Sequence, residues 1–193
     1  MEGAFVTPDF LAPLDLAAHR ALVPTGLVTK GMFFQQVLED AKKAGGDVGP
    51  KSRYLPFKDY PLEEWIEVLV ACAERAHPRT PIREALRRMG GHSFKTFAES
   101  TIGKVLFSAD ARNVEDILAL VPKAYALTTP SSKVELVSAE PGRGVLALRE
   151  VWDFVDCYQI GVVEGGLRML GKVPRIGIRK LGPAAADFEI SWG

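Results

Sequence analysis

Cysteine and histidine are scarce in this chain. Of its 193 residues, two are cysteine and three are histidine. Cys72 and Cys157 each fall within an apolar helical pattern, which fits buried free thiols in a reducing compartment; a bridge between them would need a secreted setting. Neither a Cys-x2-Cys nor a His-x3-His spacing occurs, so no metal ligand set is expected. Net charge is also lacking. The 24 basic residues are matched by 24 acidic ones, and residues 1–60, 61–130 and 131–193 carry 7 and 7, 9 and 9, and 8 and 8. No basic half exists to grip a phosphate backbone, so nucleic acid is not an expected partner. No apolar run reaches the roughly 18 residues that span a bilayer. The start, Met1–Phe10, carries Glu2 and Asp9 and no positive segment, so the expected location is cytoplasmic. Neither a phosphate-binding loop nor a nucleophile elbow is present. The expectation is a non-enzyme, with no catalytic residues and no cofactor.

The chain has 47% hydrophobic and 25% charged residues, an ordinary globular balance that supports a packed core. Residues 1–28 read as an N-terminal extension or lead-in strand, broken by Pro24 and Gly26. Residues 29–193 read as a single α+β domain, with helices over 29–128 and a ββ-α-ββ unit over 131–193. The clearest helix runs from Pro61 to His77. Glu63 and Glu64 complement its dipole, and Leu62, Trp65, Ile66, Leu69, Val70 and Ala73 make one apolar stripe. Thr29 reads as the cap of an earlier helix that ends at Gly45-Gly46. Thr80-Pro81 starts another, which Gly90-Gly91 are expected to end. Ser93 then caps a third helix, with Phe94, Phe97, Thr101 and Val105 facing inward. Asn113 caps a fourth, interrupted at Pro122. After Pro130 the period changes to two. Lys133–Ala139 and Arg143–Glu150 read as strands around Glu140-Pro141-Gly142, and a helix follows over about Asp153–Leu170. Val173–Lys180 and Ala185–Trp192 close the chain as a hairpin. One register there pairs Ile178 with Phe188, Ile176 with Ile190 and Arg179 with Asp187, and so satisfies both faces. The architecture expected is an N-terminal helical bundle packed on a C-terminal antiparallel sheet.

The segment Tyr158–Arg168 is the most distinctive. With Gly31-Met32-Phe33-Phe34, Phe97-Ala98-Glu99-Ser100, Pro122-Lys123-Ala124-Tyr125 and Phe188–Trp192, it resembles an uncharacterised family of roughly 200-residue proteins abundant in myxobacteria. That likeness covers about residues 20–193 and implies no activity. Further out, a Gly-x-x-x-Gly helix flanked by hairpins resembles the ligand-binding superfamily of vinyl-reductase-type domains, TRAPP subunits and haem nitric-oxide sensors. The sensors use a helix-borne histidine and a Tyr-x-Ser-x-Arg motif, which this chain lacks. His77 and His92 fall at expected helix ends. Vinyl-reductase-type domains often carry metal-binding cysteine sets, which two distant cysteines do not reproduce. TRAPP subunits can carry an acyl chain on a helix cysteine, and Cys72 is on a helix.

Gly161, Gly165 and Gly166 each cost helix stability, roughly 1 kcal/mol apiece. Gly161 and Gly165 share a face, so they mark either close packing or close approach of a ligand or second subunit, with Gly166 rotated away. Glu164 is read either as the partner of Arg168, four residues on, or as a ligand anchor. The ligand-binding candidates are Gly161, Glu164, Gly165, Tyr158 and Cys72. The function expected is a non-enzymatic ligand-binding or sensory module with an apolar pocket between helices and sheet. The alternative is an interaction or scaffold module with a fully packed core. Possible partners are accordingly a small apolar ligand, a second copy of the chain, or another protein.

Overall fold

The computed structural model describes residues 3–45, 48, 51, 53–107 and 113–193. The elements run α1 (Leu16–Leu22), β1 (Val28–Lys30), α2 (Gly31–Lys43), β2 (Asp59–Pro61), α3 (Leu62–Ala76), α4 (Ile82–Glu99), α5 (Thr101–Phe107), α6 (Val114–Thr128), β3 (Lys133–Glu140), β4 (Arg143–Arg149), α7 (Tyr158–Met169), β5 (Pro174–Gly182) and β6 (Ala185–Trp192). The fold is α+β: helices come first, and a four-stranded antiparallel sheet of order β3-β4-β6-β5 follows. Its closing hairpin has the register that both faces require, with Ile178 opposite Phe188, Ile176 opposite Ile190 and Arg179 opposite Asp187.

Two cores result. The first gathers Phe34, Trp65, Leu69, Cys72, Leu86, Met89, Phe154 and Tyr158 between α2, α3, α4 and the start of α7. The second joins Leu118 of α6 and Ile160, Val163 and Leu167 of α7 to the inner face of the sheet, where Leu146, Leu148, Ile178, Phe188 and Ile190 lie. Trp65 is buried on its stripe. α7 serves both cores, and so holds the helical layer to the sheet.

Several local expectations are corrected. Residues 16–22 form a helix, capped by Asp15, whose side chain accepts from the Ala18 amide. Seven residues between Pro13 and Pro24 are too few to show a helical period. β1 and β2 pair as a small separate ladder. The extension also carries an arm: Val6 exchanges two backbone hydrogen bonds with Ile178, of 2.9 and 2.8 Å, on the outer edge of β5. α2 ends near Gly45, whose φ is +101°; Gly46 lies outside the described residues. α6 begins at the Asn113 cap but runs through Pro122 to Thr128. α7 begins at Tyr158, later than Asp153, because Phe154 adopts a left-handed conformation that helix cannot continue through. Thr101 and Val105 are exposed, since the chain breaks at Ser100 and restarts as α5.

The main correction concerns Gly90-Gly91. They do not end a helix; α4 continues through them to Glu99. A side-chain carbon at Gly90 would lie 2.1 Å from the carbonyl oxygen of Tyr158, and one at Gly161 would lie 1.9 Å from that of Arg87. One at Gly165 would lie 2.2 Å from that of Gly91. Two helices therefore cross with their backbones in contact, and the glycines of each make room for the other. Gly165→Ala should destabilise the fold by about 1–3 kcal/mol despite the alanine's better helix propensity, because the obstacle is backbone and cannot rotate away. Chemical denaturation of the two proteins measures it. Unchanged stability would mean that the crossing is loose.

Candidate functional site

A partly open cavity of about 70 Å³ lies where the two cores meet, lined chiefly by α4, α5, α6 and α7. Its wall is mostly apolar: Phe33, Phe94, Phe97, Phe107, Leu118 and Val163 are among the lining residues. The aromatic side is ordered by ring contacts, with Phe107 5.6 Å from Phe94 and 5.8 Å edge-on to Phe97. Gly166 belongs to this wall and is buried, since the Phe94 ring lies against it, 3.0 Å from where a side-chain carbon would be. Its freedom from packing, expected from rotation around the helix, is therefore not found.

Polar groups enter the wall in two sets. In the first, the Tyr158 hydroxyl donates to Ser93 Oγ at 2.8 Å, and Ser93 donates to the Met89 carbonyl at 3.5 Å, one turn back along α4. In the second, the Tyr125 hydroxyl donates to Gln159 Oε1, and Gln159 Nε2 donates to Asp153 Oδ1 at 2.6 Å. Trp65 Nε1 donates to the other Asp153 oxygen at 3.3 Å. This chain links α6, α7, the β4–α7 turn and α3. Burial pushes the Asp153 carboxyl above its ordinary value, although the hydrogen bonds from Gln159 and Trp65 oppose the shift. Burial likewise raises the Tyr125 and Tyr158 hydroxyls, so both stay protonated.

The turn holding Asp153 is strained. Glu150 and Phe154 have φ of 58° and 56°, and neither is glycine. Phe154 is nevertheless buried, stacked on His19 with ring centres 4.5 Å apart, and His19 Nε2 lies 2.7 Å from the Trp152 carbonyl. The Phe154 carbonyl accepts from the amides of Cys157 and Gln159. Packing and hydrogen bonds thus hold an aromatic residue where a bulky side chain is disfavoured, and Asp153 is fixed beside it.

Among the residues expected at a site, Tyr158 lines the cavity. Gly161 and Gly165 face the backbone of α4. Glu164 sits 2.8 Å from Arg87 and 3.5 Å from Arg168, on a groove between the N-terminal arm and β5. Cys72 is buried in the first core, away from the cavity lining, and burial pushes its thiol up to about 12. The residues that sequence reasoning did not single out are Asp153, Gln159, Tyr125 and Ser93. Periodicity gives no sign of them, because each faces inward like its apolar neighbours.

A family model matches residues 23–193. The chain belongs to the family described as "Protein of unknown function (DUF2378)". No curated protein matches it. Solved structures with a similar fold include H-NOX proteins. One from S. oneidensis in the Fe(II)NO state has a TM-score of 0.63 at 15% identity, covering 85% of this chain and 99% of that one. An unliganded Fe(II) mutant from K. algicida scores 0.60 at 14% identity, over 85% and 96%. An oxygen-binding H-NOX domain related to soluble guanylate cyclases scores 0.60 at 15%, over 84% and 92%. At such identity the likeness is one of fold.

Work on H-NOX proteins concerns a haem, but the residues here do not fit one. Among the described residues, no histidine, cysteine, methionine, lysine or arginine is in the cavity lining. His19 is engaged with Trp152 and Phe154, His92 Nδ1 lies 2.8 Å from Asp40, and His77 caps α3. The two lining tyrosines are engaged by hydrogen bonds to Ser93 and Gln159. Among the described residues, no cluster of three His, Cys, Asp or Glu side chains could hold a metal ion.

Asp153 offers a direct pH test. Its folded value is raised, so its contribution to stability is complete below the unfolded carboxyl value near 3.8 and is lost as pH rises toward the folded value. Asp153→Asn cannot ionise. The stability of that variant relative to wild type should therefore climb across this window, by at most about 1.4 kcal/mol per pH unit. Urea denaturation of both proteins at several pH values measures it, and a flat difference would show that Asp153 ionises normally.

Proposed function

We propose that this domain is a non-enzymatic sensory or ligand-binding module, and that its ligand is a small apolar molecule held in the cavity between α4, α5, α6 and α7. The observation that carries this reading is the cavity itself. It is walled by aromatic and aliphatic side chains, with a few polar groups converging on it from fixed hydrogen bonds. A scaffold module has no need of a hollow at the junction of its cores. Close packing is the normal state of protein interiors, and an empty space forfeits contacts. The H-NOX-like fold supports a sensory role at the level of architecture. Within the cavity Tyr158, Ser93, Tyr125 and Gln159 are the proposed polar contacts. Gly161 and Gly165 would act by holding α4 and α7 together.

The cavity is tested with xenon, which enters apolar hollows without needing a hydrogen bond. Dissolved xenon should shift the NMR signals of Leu118, Val163 and Leu167 methyl groups selectively. Gly166→Leu should abolish those shifts by driving Phe94 into the hollow, while the sheet signals stay in place. Uniform or absent shifts in the wild type would refute the reading.

The misfit to haem gives a second test. Protein purified from a haem-replete host should show no Soret band and no pyridine haemochrome. Haem retained in stoichiometric amount would overturn the donor-set argument and make a histidine ligand necessary.

A further inference from the structure

The hydrogen-bond directions in the cavity wall define a ligand class, on the proposed reading that the cavity is a ligand site. Ser93, Tyr125, Thr128, Thr129 and Tyr158 are the hydroxyl-bearing residues of the lining. The first three and Tyr158 commit their protons to the protein. Tyr158 donates to Ser93, Ser93 to Met89, Tyr125 to Gln159, and Thr128 to the Ala124 carbonyl at 2.8 Å. A hydroxyl that donates still has oxygen lone pairs to offer. These four groups therefore present acceptors to anything in the hollow. A guest oxygen that can only accept gains nothing from these four hydroxyls without breaking one of their bonds and leaving a buried acceptor unpaired, and is left with Thr129 and the second N–H of Gln159 Nε2.

Charge is selected against as well. Among the described residues no lysine or arginine is in the lining, so these residues give a carboxylate or phosphate no counter-ion. An ammonium group would find one acidic side chain, Asp153, and both of its oxygens already accept hydrogen bonds from Gln159 and Trp65. Size sets the last limit. The hollow of about 70 Å³ is roughly half of an engineered protein cavity that holds the six carbons of benzene, which leaves room for about three non-hydrogen atoms.

We propose that the cavity recognises short-chain neutral alcohols, with the carbon chain against Phe94, Phe97 and Val121 and the hydroxyl donating to the oxygen of Tyr158 or Tyr125. So small a ligand cannot bind tightly. At the best efficiency known for tiny ligands, the dissociation constant is no lower than roughly 0.5 mM, and a sensor of this kind responds to abundant solutes.

Two isomers of one formula separate the parts of this argument. Ethanol and dimethyl ether have the same atoms and nearly the same volume, but only the alcohol donates a hydrogen bond. Each is titrated into the full-length protein and followed by methyl and amide NMR shifts at the cavity. The alcohol should bind at least ten-fold more tightly than the ether. Tyr125→Phe combined with Tyr158→Phe should reduce that preference to two-fold or less, leaving ether binding as it was. Should the double variant fail to fold, the wild-type comparison decides alone. Equal binding of the two isomers, or preference for the ether, overturns hydroxyl recognition while leaving the cavity as a ligand site. If neither isomer binds but xenon does, the alcohol class is wrong. If none of the three binds, the cavity reading fails with it.

Discussion

Backbone contact between α4 and α7 is the constraint on which the rest of this structure depends. Ordinary helix pairs are kept 8–10 Å apart by their side chains. Here Gly90 and Gly91 on one helix meet Gly161 and Gly165 on the other, and a single methyl group at Gly90, Gly161 or Gly165 would lie within about 2.2 Å of a carbonyl oxygen. Such closeness fixes the relative position of the two helices more firmly than a liquid-like apolar seam would. The Tyr158 hydroxyl then reaches Ser93 on α4, and Arg87 reaches Glu164 on α7. Phe94 lies against Gly166. The helix propensity lost at the glycines, roughly 1 kcal/mol each, is offset by these contacts and by the dispersion gained at close range.

The same crossing places the hollow. Phe94 and Phe97 on α4, with Val162, Val163 and Gly166 on α7, form adjoining parts of its wall, and α6 supplies Leu118, Val121 and Tyr125 opposite. Below it, the turn between β4 and α7 carries Asp153 into a fully buried position and leaves Phe154 in a left-handed conformation. A buried carboxyl is tolerated because it has two donors and because burial favours its neutral form. The resulting chain, Trp65 to Asp153 to Gln159 to Tyr125, crosses from the first core to the second. Tyr125 is thereby hydrogen-bonded, through two intermediates, to Trp65 in the first turn of α3.

Much of the frame is legible in the sequence, for reasons that are local. Ile176, Ile178, Phe188 and Ile190 alternate with Arg179 and Asp187, and only one hairpin register serves both faces. Pro61, Glu63 and Glu64 mark the start of α3 by dipole and cap chemistry alone. Gly90-Gly91 misled for the opposite reason: a glycine pair ends a helix when it meets solvent, and continues one when another backbone lies against it. That difference is set by α7, more than sixty residues away. The cavity was only indirectly legible. Phe33, Phe97, Tyr125, Tyr158, Gln159, Val162, Val163 and Gly166 all fall within the distinctive segments that carry the family resemblance, yet nothing in those segments shows that they converge. Asp153 lies outside them, and a carboxylate beside Trp152 reads as surface until its burial is seen.

Fold and chemistry part company at this site. A chain can share the H-NOX architecture over most of its length without sharing the ligand, because a fold positions side chains and the side chains determine what is bound. Iron needs a donor that is free, whereas the tyrosines of this wall are hydrogen-bonded to Ser93 and Gln159, and His19 and His92 lie outside it, engaged with Trp152 and Asp40. The two cysteines are no better suited to covalent attachment of a ligand. Burial pushes both thiols up to about 12, so the reactive thiolate is nearly absent at neutral pH. With metal, anion and thiolate chemistry all disfavoured, what remains to distinguish one guest from another is volume, apolar contact and the direction of a hydrogen bond. Of these, only the last separates molecules of equal size, and its direction follows from where the protons of Tyr158, Ser93 and Tyr125 are already held.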